Sequence, residues 1–258
     1  MPASFLKPAL GWLRRLLRGA SYLPRAFWFL ARRPRLWPGA LLPALVTALL
    51  MALGFVLGIV AGPHLETALL QGSEPWPWWT GIALGFGARV VAIVAGVLAG
   101  FGLAMVLSAS FLDRLSRAVE SAARGEVVDR PAGLRWQVEQ SVRGAGYFLV
   151  RMPGIVLVGF VPFVGPALSA LWAAHALAFQ NTEPALGRRG LEFAVRRAWH
   201  RHHRAESLGL GFASLVCLVV PCAGFLLAPA LVTAGTLLVL DLADAPELRP
   251  GAPATSPG

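Results

Sequence analysis

Charge is scarce in this chain: 14% of its 258 residues are Asp, Glu, Lys or Arg, where a water-soluble domain carries about 25%. With 56% apolar residues and a mean hydropathy of +0.63, that deficit excludes an ordinary soluble globule and requires lipid as part of the solvent. Cysteine is nearly absent as well. Cys217 and Cys222 both lie inside an apolar run, which excludes a disulfide framework and leaves two thiols that read as small hydrophobes. The 28 glycines and 20 prolines keep no period, so a collagen-like chain is excluded too. Catalytic signatures are missing: there is no phosphate loop, no Gly-x-Gly-x-x-Gly, no His-Glu-x-x-His and no serine beside an arranged base. No enzymatic activity, cofactor or metal is expected. The apolar stretches hold almost no carboxylates, with Asp113 at an edge, so a buried proton relay is not expected either.

What the chain does have is positive charge, a net +10, and it is placed in blocks. Eight of the 23 basic residues fall in 1–35, seven between Asp113 and Arg151, and six between Asn181 and Glu206. Blocks of Arg between apolar segments are the positive-inside pattern of cytoplasmic loops. A nucleic-acid partner is therefore not expected, and membrane lipids are.

Four stretches are nearly free of charge: 36–63, 90–112, 152–180 and 207–240. The first two each suit one crossing, at about 38–61 and 90–112, since a span takes about 20 residues. The later two are broken by Val161-Pro162-Phe163-Val164-Gly165-Pro166 and Val220-Pro221-Cys222-Ala223-Gly224. Proline removes a helical N–H and glycine permits a turn, so Pro162, Gly165, Pro221 and Gly224 mark the tips of two helical hairpins, about 147–180 and 207–240. Arms of about 13–16 residues reach about 20–24 Å, short of the hydrocarbon core of about 30 Å. They are expected to enter and leave on one side.

Charge parity gives the same arrangement, because three basic segments kept in the cytoplasm must be separated by an even number of crossings. The expected fold is all-α and integral to the membrane: two long transmembrane helices, two re-entrant hairpins and an N-terminal amphipathic interfacial helix. Residues 1–35 form the basic amphipathic segment, 36–240 one helical membrane domain, and 241–258 a disordered tail, with both termini cytoplasmic. Trp76, Trp78 and Trp79 read as an aromatic anchor on the outer surface. Irregular backbone at the hairpin tips needs protein or water around it, so association of the hairpins or of several subunits is required, and a homo-oligomer is expected. Small residues every four positions, Gly54, Gly58 and Gly62 on one span and Ala92, Gly96, Gly100, Ala104 and Ser108 on the other, predict a close helix pair.

Arg32, Arg33 and Arg35 stand just before a helix that Pro38 helps to start. Guanidiniums at a helix N-terminus suit a small inorganic anion; a cytoplasmic flank would look the same. Arg89 is a further candidate anion contact with two placements. It snorkels at the outer interface if the span begins at Val90, and lies within the bilayer needing a partner or an anion if the helix begins near Trp79. The string Trp199-His200-Arg201-His202-His203-Arg204 reads as a solvated basic face rather than a metal site, and His175 as a packing residue.

The order of features resembles the etoposide-induced-protein/CysZ family of membrane proteins. The resemblance is carried by Gly19-Ala20-Ser21-Tyr22-Leu23 with Pro34-Arg35-Leu36 and Leu41-Leu42-Pro43, and by Ala109-Ser110-Phe111-Leu112-Asp113 with Leu115 and Val119-Glu120. It continues in the Val161–Pro166 string, Arg188-Arg189-Gly190-Leu191-Glu192-Phe193, Gly209-Leu210-Gly211-Phe212 and Ala228-Pro229-Ala230. The resemblance implies two transmembrane helices and two hemi-penetrating hairpins in an oligomer of the bacterial inner membrane, and a part in sulfate uptake. Arg33-Pro34-Arg35-Leu36-Trp37 corresponds to the family's basic sulfate-associated stretch but departs from its Gly-Leu-Arg-Arg/Lys pattern. Thr47 and Thr182 replace a family asparagine and acidic residue. The expected function is a passive anion (sulfate) permease with Arg32, Arg33 and Arg35 as contacts; the alternative is a non-transporting membrane scaffold that organises lipids or partner proteins.

Overall fold

The computed structural model describes residues 3–70, 78–130, 133–219 and 223–242. Among these residues the chain is helical: α1 (Ala3–Ala31), a 3-10 turn (Pro34–Leu36), α2 (Trp37–Leu70), α3 (Trp78–Arg124), α4 (Leu134–Leu149), α5 (Met152–Gly159), α6 (Val164–Gly187), α7 (Phe193–His202), α8 (Arg204–Val219) and α9 (Ala223–Asp241). Trp76, Pro221, Cys222 and the tail from Ala243 lie outside the described residues. The chain divides into two units, 38–112 and 1–37 with 113–258.

Residues 38–112 form an antiparallel helix pair whose outer surface is apolar. Leu45, Leu49, Leu53, Leu57 and Val60 on α2 and Val91, Val94 and Leu98 on α3 are exposed, a surface that water would not tolerate and lipid does. Between the helices the small-residue stripes meet backbone to backbone. A Cβ at Gly54 would collide with the Gly96 carbonyl, and one at Gly58 would lie 2.5 Å from the Ile93 Cα. Thr47 and Ser108 add a hydroxyl pair at 3.3 Å. Gly96→Leu is therefore expected to cost at least about 1–3 kcal/mol by overpacking, whereas Gly102→Leu, at a position where an added Cβ meets no atom within 4 Å, is expected to be near neutral; thermal unfolding in detergent compares them.

Both helices outrun their expected spans. Pro63 forfeits only one intrahelical bond, and α2 continues through it to Leu70. α3 contains 47 residues, about 70 Å at helical rise, because apolar sequence marks where a membrane-facing surface stops and not where the helix does. Among the described residues three helical stretches, Pro34–Leu70, Trp79–Ala104 and Arg135–Gly159, are long and apolar enough to cross a membrane.

The other unit wraps α1, α6, α8 and α9 around a core of Tyr22, Ala26, Ala185, Leu186, Trp199, Leu210, Ala234, Leu238 and Val239. α1 has two uses for its sides. Tyr22, Leu23, Ala26 and Leu30 are buried while Leu10, Leu13, Leu17 and Trp28 stay exposed. On the buried side Gly19 and Gly209 bring α1 and α8 together, since a Cβ at either would strike the other helix's backbone. The Tyr22 hydroxyl donates to Asp241 Oδ2 at 2.7 Å, and burial, helped by that carboxylate, pushes the phenol up to about 12.

α5 and α6 form a helix–turn–helix with the turn at residues 160–163. Phe163 adopts φ +64, a conformation rare for a side chain of that size, and Gly165 allows the arms to touch: a Cβ there would be 2.5 Å from the Val158 carbonyl oxygen. The α6 arm is longer than the expected 13–16 residues, at 24, because it continues past its apolar half into Asn181, Thr182 and Glu183.

Candidate functional site

Ionic chemistry concentrates where α3 meets the turn after α6. Along α3, Asp113, Ser116, Glu120 and Arg124 follow at steps of three and four, one face of a helix, with Arg117 beside them. α6 ends at Gly187, and Gly190 turns the chain at φ +67, delivering Arg188 and Arg189 onto that face. Arg188 donates from Nη1 to Asp113 Oδ1 at 2.9 Å and from Nη2 to Glu120 Oε2 at 2.8 Å and Ser116 Oγ at 3.1 Å. Arg189 Nη2 donates to Glu120 Oε1 at 2.7 Å, while its Nη1 satisfies the Ala185 carbonyl at 2.6 Å. Ser116 also meets Thr236 of α9 at 2.8 Å, and Arg124 donates to the Leu240 carbonyl.

Glu120 is 1% exposed, yet each carboxylate oxygen holds a guanidinium. Burial pushes Arg189 below its ordinary value and the charge of Glu120 opposes that shift. Arg117 pairs with Asp113 and Asp129, so Arg117, Arg188 and Arg189 face Asp113, Glu120 and Asp129. Those charges cancel one another, and Arg124, which donates to the Leu240 carbonyl, leaves the hub with one positive charge outside its ion pairs among the described residues. Its chemistry is to fix α3 to α6 and α9, since removing one partner of a buried pair strands the other.

A second buried polar group centres on His200. Thr182 Oγ1 donates to the Ala178 and Phe179 carbonyls at 2.9 and 3.1 Å, so toward His200 Nε2, 3.0 Å away, it accepts. Nε2 therefore carries a proton, and Nδ1 lies 3.1 Å from Ser207 Oγ, which donates to it in the neutral Nε2–H tautomer that burial favours. Burial, with His175, His203 and Arg196 adding like charge, pushes His200 down to about 3. This corrects the expectation for the Trp199–Arg204 string: Trp199 and His200 are fully buried, and Arg196 on the same helix is 3% exposed and paired with Glu183. Arg201, His202 and Arg204 remain on the exposed face. α7 is amphipathic because Phe193, Arg196, Trp199 and His200 share its buried face, two of them residues that hydropathy counts as polar. Among the described residues no three His, Cys, Asp or Glu side chains gather as a metal set.

The expected site residues divide differently. Arg32 stacks over Trp28 at 4.2 Å and Arg33 over Phe29 at 3.8 Å; Arg35 is exposed in the 3-10 turn. None of the three is in an ion pair among the described residues, and all lie in the 1–37 segment. Arg89 is engaged: α3 begins at Trp78, and Arg89 Nε and Nη2 each lie 2.8 Å from Glu66 Oε2. The continuation of α2 past Pro63 brings Glu66 there. Pro162 is in the α5–α6 turn and Gly165 just after it, while Gly224 is in the first turn of α9. Glu120, Asp113 and Arg188 were missed as a group by sequence reasoning, although the helical spacing of Asp113, Ser116 and Glu120 past Leu112 is legible. A pairing across 68 residues is not.

Long apolar helices with a lipid-compatible surface define a helical integral membrane protein. Residues 22–229 match the family described as Sulfate transporter CysZ/Etoposide-induced protein 2.4, and the chain belongs to that family. Similar proteins include two named "Sulfate transporter CysZ" from Pseudomonas fluorescens. One, from strain Pf-5, is 28% identical over 145 residues, 52% of this chain and 58% of that protein. The other, from strain SBW25, is 29% identical over 160 residues, 57% and 62%. A third of the same name, from Pseudomonas syringae pv. tomato, is 28% identical over 147 residues, 52% and 57%. The chain thus aligns with less than two thirds of each relative's length.

Proposed function

We propose that the protein is a passive anion permease of a bacterial inner membrane, that sulfate is its substrate, and that Arg32, Arg33 and Arg35 are its anion contacts. The supporting observation is a contrast in charge pairing. Arg117, Arg188, Arg189 and Arg196 are answered by carboxylates, and Arg89 by Glu66, whereas the three arginines preceding α2 stack on aromatic rings or stand exposed. Guanidiniums free of carboxylates retain the forked donors that a tetrahedral oxyanion accepts. The names of the relatives add sulfate to that chemistry.

In this reading the α5–α6 hairpin is re-entrant, because its exposed apolar residues, among them Val156, Leu157, Phe160, Phe163 and Leu168, cluster toward the turn. From Val164 to Leu171 the α6 arm rises about 12 Å, less than half of the hydrocarbon core. Both termini are cytoplasmic, the protein is a homo-oligomer, and the tips are covered by neighbouring protein. Arg35→Ala in reconstituted vesicles is expected to reduce sulfate flux about tenfold or more, the worth of one charge-assisted hydrogen bond; unchanged flux removes Arg35 from the site. The scaffold alternative draws on the exposed Leu10, Leu13, Leu17 and Trp28 of α1, and predicts that deleting residues 1–31 abolishes lipid or partner recruitment and leaves permeability unchanged.

A further inference from the structure

One arginine pair outside both the hub and the α1–α2 segment shares an aromatic partner. Arg151, in the junction between α4 and α5, places Cζ 3.9 Å from the Tyr147 ring and donates from Nη1 to the Tyr147 carbonyl at 2.9 Å. Arg197, from α7, lies 5.7 Å from the same ring. Tyr147 in turn stacks on Trp172 of α6 at 6.1 Å and packs on Phe193 at 5.5 Å. Two cations on one ring repel each other, and neither is in an ion pair among the described residues. The Arg197 Nε is buried with no hydrogen-bond partner, a donor left waiting for an acceptor.

We propose that Arg151, Arg197 and Tyr147 form a receptor for the phosphate of an anionic phospholipid. Phosphate supplies the negative charge that two guanidiniums lack and the oxygens that their forks address. The lipid source is indicated by the neighbourhood: Leu149, Val150 and Met152 flank Arg151 and are exposed at 66%, 78% and 54%, and Val156 and Leu157 continue that apolar surface along α5. Arg151 thus stands where an apolar surface meets a basic, aromatic one, the chemistry of the headgroup level. The site is independent of transport and stands or falls without it.

Native mass spectrometry of the full chain in neutral detergent tests this with phosphatidylglycerol, phosphatidylcholine and inorganic phosphate as probes. Wild type is expected to retain phosphatidylglycerol over phosphatidylcholine, and Arg151→Gln with Arg197→Gln to lose about tenfold in that retention. Arg201→Gln with Arg204→Gln, which removes the same charge from an exposed face, leaves it unchanged. Tyr147→Leu, which keeps both charges, gives an intermediate loss. Equal losses in the two double variants would overturn the receptor in favour of diffuse attraction, and no lipid preference in wild type would overturn it outright. Displacement of phosphatidylglycerol by millimolar inorganic phosphate would keep the phosphate chemistry and overturn the lipid source. Circular dichroism and elution volume matching wild type show that a variant's loss is not unfolding.

Discussion

Glu120→Ala is expected to destabilise the unit built from α1 and α6–α9 by about 3–5 kcal/mol, the cost of stranding buried charge. Two guanidiniums depend on that carboxylate at 2.7 and 2.8 Å, both arginines are themselves buried, and no other carboxylate reaches Arg189 among the described ion pairs. Glu120→Gln preserves shape but not charge and is expected to recover only part of the loss. Arg32→Ala, in an exposed side chain, stays within about 0.5 kcal/mol. Denaturant unfolding in a non-ionic micelle, followed by tryptophan fluorescence, reads these differences, since Trp199 sits in the core of the same unit. A Glu120→Ala variant as stable as wild type would mean that the hub contributes nothing to holding α3 against α6.

The second large effect is on acid stability. His200 is held neutral, with its value pushed down to about 3 from an ordinary 6.5. Below pH 6.5 the unfolded chain binds a proton that the folded chain refuses, so the folded state loses ground as pH falls and does so until the folded value is reached. The sign is therefore full stability above about 6.5 and a loss of about 1.4 kcal/mol per pH unit below it. Other groups also take up protons as pH falls, so the comparison that isolates His200 is with His200→Gln between pH 7.5 and 5. That variant is expected to be less stable at pH 7.5, because its contacts with Thr182 and Ser207 change, and to show a shallower slope. Parallel slopes for the two proteins would mean that His200 is protonated in the fold.

The membrane-facing features were the most legible ones. Small residues at four-residue intervals announce the α2–α3 contact because lipid supplies no hydrophobic drive between helices, so close packing carries much of their association. The Val161–Pro166 string located the α5–α6 turn because proline and glycine act locally. Less legible was everything that depends on which polar residues become buried. Glu120, Arg188 and His200 read as soluble-loop chemistry because hydropathy treats each alone, while burial was decided by partners far along the chain. Helix ends differ from the apolar pattern for a related reason: apolar sequence records the solvent of a surface, and α2 and α3 both continue after that solvent changes. Arg89 shows the consequence, since its partner Glu66 lies on a turn of α2 that the apolar pattern alone had ended.

Passage of sulfate, proposed above, is measured most directly as radiolabelled sulfate uptake by proteoliposomes holding the full chain, with chloride uptake and protein-free vesicles beside it. Saturable sulfate uptake that exceeds the protein-free control and is not matched by chloride is the expected result. Folded, inserted protein that leaves sulfate uptake at the level of empty vesicles would contradict it.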